Sequence, residues 1–108
     1  MLKLTPDDIE KLKESLGGIE IHHLVNDEHQ EEIVVKVPSW PIYRTYQETR
    51  ANADTRAVAM KKLVTDVLVY PTPAVFEGMV AGRPALVDVF GADVLEVAGG
   101  TKTTRKKY

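Results

Sequence analysis

Cysteine is absent from this sequence of 108 residues. That excludes disulfides, thiolate metal ligands and a thiol nucleophile, and it fits a reducing compartment. No uninterrupted apolar run approaches the ~20 residues that a membrane span needs. No basic-then-apolar leader opens the chain, so neither a secretory signal nor a membrane partner is expected. Aromatics are sparse at 6%, with one tryptophan. Basic charge is scarce as well. Of 14 Lys and Arg residues, Lys102, Arg105, Lys106 and Lys107 lie in the last eight positions, leaving ten to face all 16 acids. An acidic body of this kind lacks the basic face that neutralises phosphates, so no nucleic-acid partner is expected.

What is present is ordinary globular material, 44% apolar and 28% charged, in a length that suits one domain. The start, LKLTPDDIEKLKESLGG, reads as a helix over 5–16. Thr5 is a good N-cap, Pro6 loses no needed amide at N1, and Asp8 stands where a capping-box acid stands. Leu4 and Ile9 occupy the staple positions, and Ile9, Leu12 and Leu16 make a narrow stripe. Gly17-Gly18 ends the helix. Residues 19–25 and 32–37 are β-prone around a polar loop, which predicts an antiparallel hairpin. In its second arm Ile33, Val35 and Val37 alternate with Glu32, Val34 and Lys36, the pattern of a sheet buried on one side.

PSWP then opens a helix running to about Ala51, with Ser39 as cap and Trp40, Tyr43 and Tyr46 on one face. Asp54 is expected to cap a further helix over 54–70, striped by Met60, Leu63, Val64, Val67 and Leu68. Pro71-Thr72-Pro73 stops it and starts a short helix bearing Val75, Phe76, Met79 and Val80. Pro84 opens the last helix, in which Gly91 predicts a kink or break, and Gly99-Gly100 closes it. The fold class is therefore α+β: an N-terminal helix, an antiparallel β-hairpin, then a mostly helical C-terminal two thirds. One domain spans 1–100, and the polar stretch 101–108 is expected to be a flexible basic tail, because it offers too little apolar surface to offset its ordering.

Chemistry is hard to find in these residues. His22 and His23 are neighbours on a strand and point to opposite faces, so they do not grip one ion together. His29, with Glu31 or Glu32, is the nearest supplement, and the plain reading is exposed strand and turn histidines. Ser15 and Ser39 stand in no nucleophile elbow, and AGRP and GGTKTT lack the features of a phosphate loop. No catalytic residue, metal or cofactor is expected. The aromatic stripe Trp40, Tyr43 and Tyr46 serves either as core or as the kind of contact that dominates protein interfaces. The stripe of the 54–70 helix has the same two readings. So many apolar helix faces on a short chain predict an exposed apolar patch, a mark of protein contacts.

The order of elements carries a resemblance. VPSWPIYRTYQE is followed by the helix DTRAVAMKKLVTDVLVYP, a YPTP turn, and FEGMVAGRPALVDVFGADVLEVAGG. From Lys36 to Gly100 this resembles the small tail assembly chaperones of tailed bacteriophages and prophages. The resemblance implies a non-enzymatic protein of the bacterial host cytoplasm. Such a protein binds the tape measure protein, keeps it soluble before the tail tube forms, and self-associates as a homo-oligomer. It also implies a second, longer product made by frameshifting near the end of the reading frame. A head–tail joining protein is the alternative. For the partner contact the candidate residues are Trp40, Tyr43, Tyr46, Met60, Val64 and Phe76.

Overall fold

Thr5 and Asp8 exchange hydrogen bonds at the start of α1 (Pro6–Ser15). The Asp8 amide donates to Thr5 Oγ1 at 3.2 Å, and the Thr5 amide donates to Asp8 Oδ2 at 3.0 Å. These bonds from Thr5 hold the Asp8 carboxyl below the usual carboxylate range. Gly17 and Gly18 follow with φ of +78° and +81°, a region that glycine enters without a Cβ clash. The computed structural model describes residues 3–99, so the tail expected at 101–108 lies outside the described residues.

The hairpin forms from β1 (Ile21–Asn26) and β2 (Glu31–Lys36), antiparallel, with Ile21 opposite Lys36 and Asn26 opposite Glu31. A third strand, β3 (Leu68–Tyr70), pairs antiparallel with the other side of β2, placing Tyr70 opposite Val34. The sheet order is β1-β2-β3. This differs from the helix expected over 54–70. Asn52 Oδ1 accepts the Asp54 amide at 2.9 Å, so residues 52–54 turn and Asp54 caps nothing. A 3-10 turn at Arg56–Val58 leads into α3 (Ala59–Val67). The helix then stops because Leu-Val-Tyr before Pro71 favours extended backbone, and the residue preceding a proline is pushed out of the α region.

The remaining helices fall close to expectation: α2 (Trp40–Ala51), α4 (Pro73–Gly82) and α5 (Leu86–Val97). Thr72 caps α4 by accepting the Val75 amide at 3.4 Å. Ser39 occupies the N-cap of α2 in extended conformation but makes no side-chain cap bond. The fold is α+β, as the pattern of strands and capped helices predicts.

The core lies between one face of the sheet and the helices. Ile33 and Val35 from β2 meet Leu63, Val64 and Val67 of α3. Phe76 of α4 and Leu86, Phe90 and Val94 of α5 complete the same cluster. Burying each such side chain is worth roughly 1.5–3 kcal/mol. α5 crosses α3 at Gly91. A Cβ there would overlap Met60 Sδ and Cγ, so the glycine expected to kink α5 instead lets Met60 in. The helix continues unbroken through it.

The sheet is covered on its second face too, contrary to the one-sided burial that the alternation suggests. Glu32 is 8% exposed. Its carboxylate accepts the Lys3 amide at 2.6 Å, the Leu4 amide at 3.3 Å and His23 Nε2 at 2.9 Å. Burial pushes the Glu32 carboxyl up, but the bonds from Lys3, His23 and Leu4 outweigh it and hold the group below its usual range. Glu32 thus ties the N-terminal segment to the middle strand, where a solvated side chain was expected. Leu4 and Leu12 share a shallow hollow with Tyr70 on this side.

Two outcomes follow. Gly91→Ala destabilises the chain by about 1–3 kcal/mol through overpacking. In a Met60→Ala background the sign reverses, leaving the helix-propensity gain of about 1 kcal/mol. Urea unfolding of the four proteins checks the cycle, and Gly91→Ala stabilising both backgrounds contradicts the crossing. Glu32→Gln costs about 1–3 kcal/mol at about pH 7, because it replaces an ionised acceptor. A depressed folded pKa adds stability above the unfolded value of about 4.3, and that stability is lost as pH falls through the folded pKa. The gap between wild type and Glu32→Gln therefore narrows from about pH 7 to about pH 3 in the same assay.

Candidate protein-contact groove

Trp40, Tyr43 and Tyr46 fall on one side of α2, as spacing by three on a helix requires. Their rings follow one another at 6.3 Å and 6.0 Å between centroids, tilted by 33° and 44°. The next group along the same face is Arg50, whose guanidinium carbon lies 5.5 Å from the Tyr46 ring centroid. Trp40 is 67% exposed at the first turn, Tyr43 is half-buried and Tyr46 is buried. The ladder thus descends from an exposed lip to a covered floor and ends on a cation.

Local sequence explains how the turns and the end of α2 are bonded. Pro41 in the first turn needs no amide partner. Thr45 and Thr49 return their hydroxyls to the carbonyls of Pro41 and Thr45, at 3.0 and 2.7 Å. At the other end, carbonyls that the helix leaves free are taken by the following loop. Thr55 Oγ1 donates to the Thr49 carbonyl at 2.8 Å, and Arg56 Nε donates to the Arg50 carbonyl at 3.0 Å. Arg44 pairs with Glu48 one turn on at 3.2 Å. Arg50 has no carboxylate within salt-bridge reach among the described residues.

The opposite wall comes from the end of α5: Leu95, Ala98 and Gly99. Ala98 and Gly99 are small, and Gly99 has φ of +98°. Between the two walls is an open groove of about 520 Å³, entered beside Pro38 and Ser39. Its chemistry is aromatic faces, two small side chains and one guanidinium. That combination suits apolar side chains of a partner, with Trp40 as the exposed anchor.

The other three candidate contact residues lie elsewhere. Val64 and Phe76 are both wholly buried in the central cluster. They are corrected from contact to core residues, and so is the body of Tyr46. The physical reason is that α3 is enclosed by β2, α2 and α5, which consume its broad stripe. Met60 fills the gap at Gly91 and does not reach the groove. The groove residues missed from sequence are Arg50, Leu95 and Ala98. Arg50 had a visible signal, since it continues the 40, 43, 46 series by one turn. The α5 residues had none, because their part depends on a helix crossing.

Two of the histidines are paired with carboxylates on separate faces of the hairpin. His22 pairs with Glu20 at 2.6 Å and His23 with Glu32 at 2.9 Å, on opposite faces of β1. Among the described residues no group of three or more His, Cys, Asp or Glu side chains is placed to hold a metal ion. On α5 burial, with Glu96 nearby, pushes the Asp93 carboxyl up. Asp93 does not line the groove. No helix of the described residues is long and apolar enough to cross a membrane.

No family model and no curated protein matches the chain. Among solved structures, an uncharacterised protein from Bacillus stearothermophilus superposes with a TM-score of 0.78. The match covers 92% of this chain and 99% of that one at 15% identity. At that identity the likeness shows a shared fold.

The groove and the core answer differently to charge. Trp40→Glu changes unfolding free energy by no more than about 0.5 kcal/mol, as exposed positions do. Val64→Glu or Phe76→Glu costs more than about 4 kcal/mol, enough to unfold a small domain. Thermal melts of the three variants check this, and equal losses at Trp40 and Val64 contradict the assignment.

Proposed function

We propose that this chain is a non-enzymatic tail assembly chaperone of a tailed bacteriophage or prophage. In this reading it acts in the cytoplasm of the host, where its groove holds apolar helix of the tape measure protein and keeps that protein soluble. The observation that carries the reading is Trp40, 67% exposed at the lip of the aromatic groove. A large aromatic left in water on the first turn of a helix costs solubility and adds nothing to the core. It gains its value on contact, where burial of apolar area supplies the driving force. The element order from Lys36 to Gly100 supplies the phage context, and the groove supplies a surface for helix-in-groove contact.

The contact is temporary in this role. A groove that is open along its length admits a long helix from the side and releases it when the tube displaces the chaperone. Self-association, the other property that the resemblance implies, keeps several grooves along one tape measure protein and raises the effective concentration of each.

Co-expression with the long helical protein encoded beside it in the phage or prophage tests the role. The expected result is a larger soluble fraction of that protein with the wild-type chain, lost with Trp40→Glu, and no chain in purified mature particles. An unchanged soluble fraction overturns the reading. Stoichiometric presence in mature particles also overturns it and favours a joining component.

A further inference from the structure

Trp40, Tyr43, Tyr46 and Arg50 form one continuous row, and only its last member is charged. Ten residues of α-helix separate Trp40 from Arg50, about 15 Å or nearly three turns. Arg50 is exposed, and its guanidinium stands at the end of the row over the Tyr46 ring. Glu48, the acid two residues before it, is held by Arg44 at 3.2 Å. Among the described residues no carboxylate comes within salt-bridge distance of Arg50.

We propose that the groove recognises an amphipathic helix whose apolar stripe ends in a carboxylate, seated so that the carboxylate meets Arg50 and the stripe covers Tyr43 and Trp40. This deepens the function proposed above, on which its biological setting rests, by stating what the partner helix must carry. The argument is complementarity in sign and in spacing. Arginine offers a planar fork of donors to a carboxylate. Beside aromatic rings and under a docked helix the pair is partly withdrawn from water, where it counts for more than an exposed pair. The occupant's side chains at i, about i+3 and about i+7 reach the aromatic steps, and its acid falls near i+11. The polarity of the row also sets direction, because the reversed stripe leaves Arg50 against an apolar side chain and desolvated without a partner.

The same chemistry excludes two other occupants. The chain's own residues 101–108 carry Lys102, Arg105, Lys106 and Lys107 and no acidic side chain, the wrong sign for Arg50. A second copy of α2 presents Glu48 already paired with Arg44.

Trp40 is the only tryptophan, so its fluorescence reports the groove directly. The probe is an alanine- and glutamine-based helical peptide of about 20 residues with leucines at about i, i+3 and i+7 and a glutamate at about i+11. Its partner peptide has glutamine at that last position. Both are titrated into the full chain. The expected result is that the glutamate peptide shifts Trp40 emission and binds about three- to tenfold more tightly than the glutamine peptide at low salt. That preference shrinks as salt is added. It disappears in Arg50→Gln and survives in part in Arg50→Lys. Equal binding of the two peptides to the wild-type chain overturns the proposal. So does a preference that persists in Arg50→Gln, or the failure of both peptides to alter Trp40. The titration contains no phage component. Its failure therefore removes the charge assignment and leaves the tail-assembly role to be decided by co-expression.

Discussion

The burial of α3 is the constraint on which the other elements depend. This helix is nine residues long, and Ala59, Leu63, Val64 and Val67 on it are buried. Too short to stand alone, it is held by what surrounds it. The β2 strand lies against one side, α2 and α5 against the others, and Met60 enters the gap that Gly91 leaves on α5. Because α3 runs directly into β3, its placement also sets the third strand and closes one edge of the hairpin. Moving α3 would separate the sheet from the helices that cover it.

Once α3 is enclosed, the buried faces of α4 and α5 have a plain use. Phe76, Leu86, Phe90 and Val94 close the core from the far side. Val75 on α4 and Val89 on α5 remain exposed outside that cluster. The most exposed of the large hydrophobic residues is on α2, whose inward side anchors Tyr46 while its first turn lifts Trp40 into water. The same helix therefore reaches the core through Tyr46 and lines the groove from Trp40 to Arg50.

Much of the fold was legible from local chemistry. TPDD with Gly17-Gly18 marked α1 at both ends, and Thr72-Pro73 marked α4, because caps and prolines act over a few residues. The hairpin was legible from its alternation and its polar loop. What escaped were consequences of distant contacts. Residues Leu68–Tyr70 continue a helical stripe in sequence, yet pairing with Val34 and Val35 makes them a strand. Glu32 looked solvated because alternation says nothing of the N-terminal amides of Lys3 and Leu4, which come from 28 or more residues away. At the groove, Trp40 and Tyr43 were readable by spacing. Val64 and Phe76 were misplaced because an apolar stripe has the same pattern whether a partner or the chain itself covers it.

The central claim is that α2 and the end of α5 frame an open aromatic groove while the apolar stripe of α3 is spent on the core. Acrylamide quenching of the single tryptophan in the free chain, across a range of protein concentrations, tests it most directly. The account predicts a fully accessible Trp40 with solvent-like emission when the chain is dilute, in a protein that still unfolds cooperatively. A Trp40 that is shielded in the dilute, folded chain would contradict it, because the groove would then be filled by the chain itself.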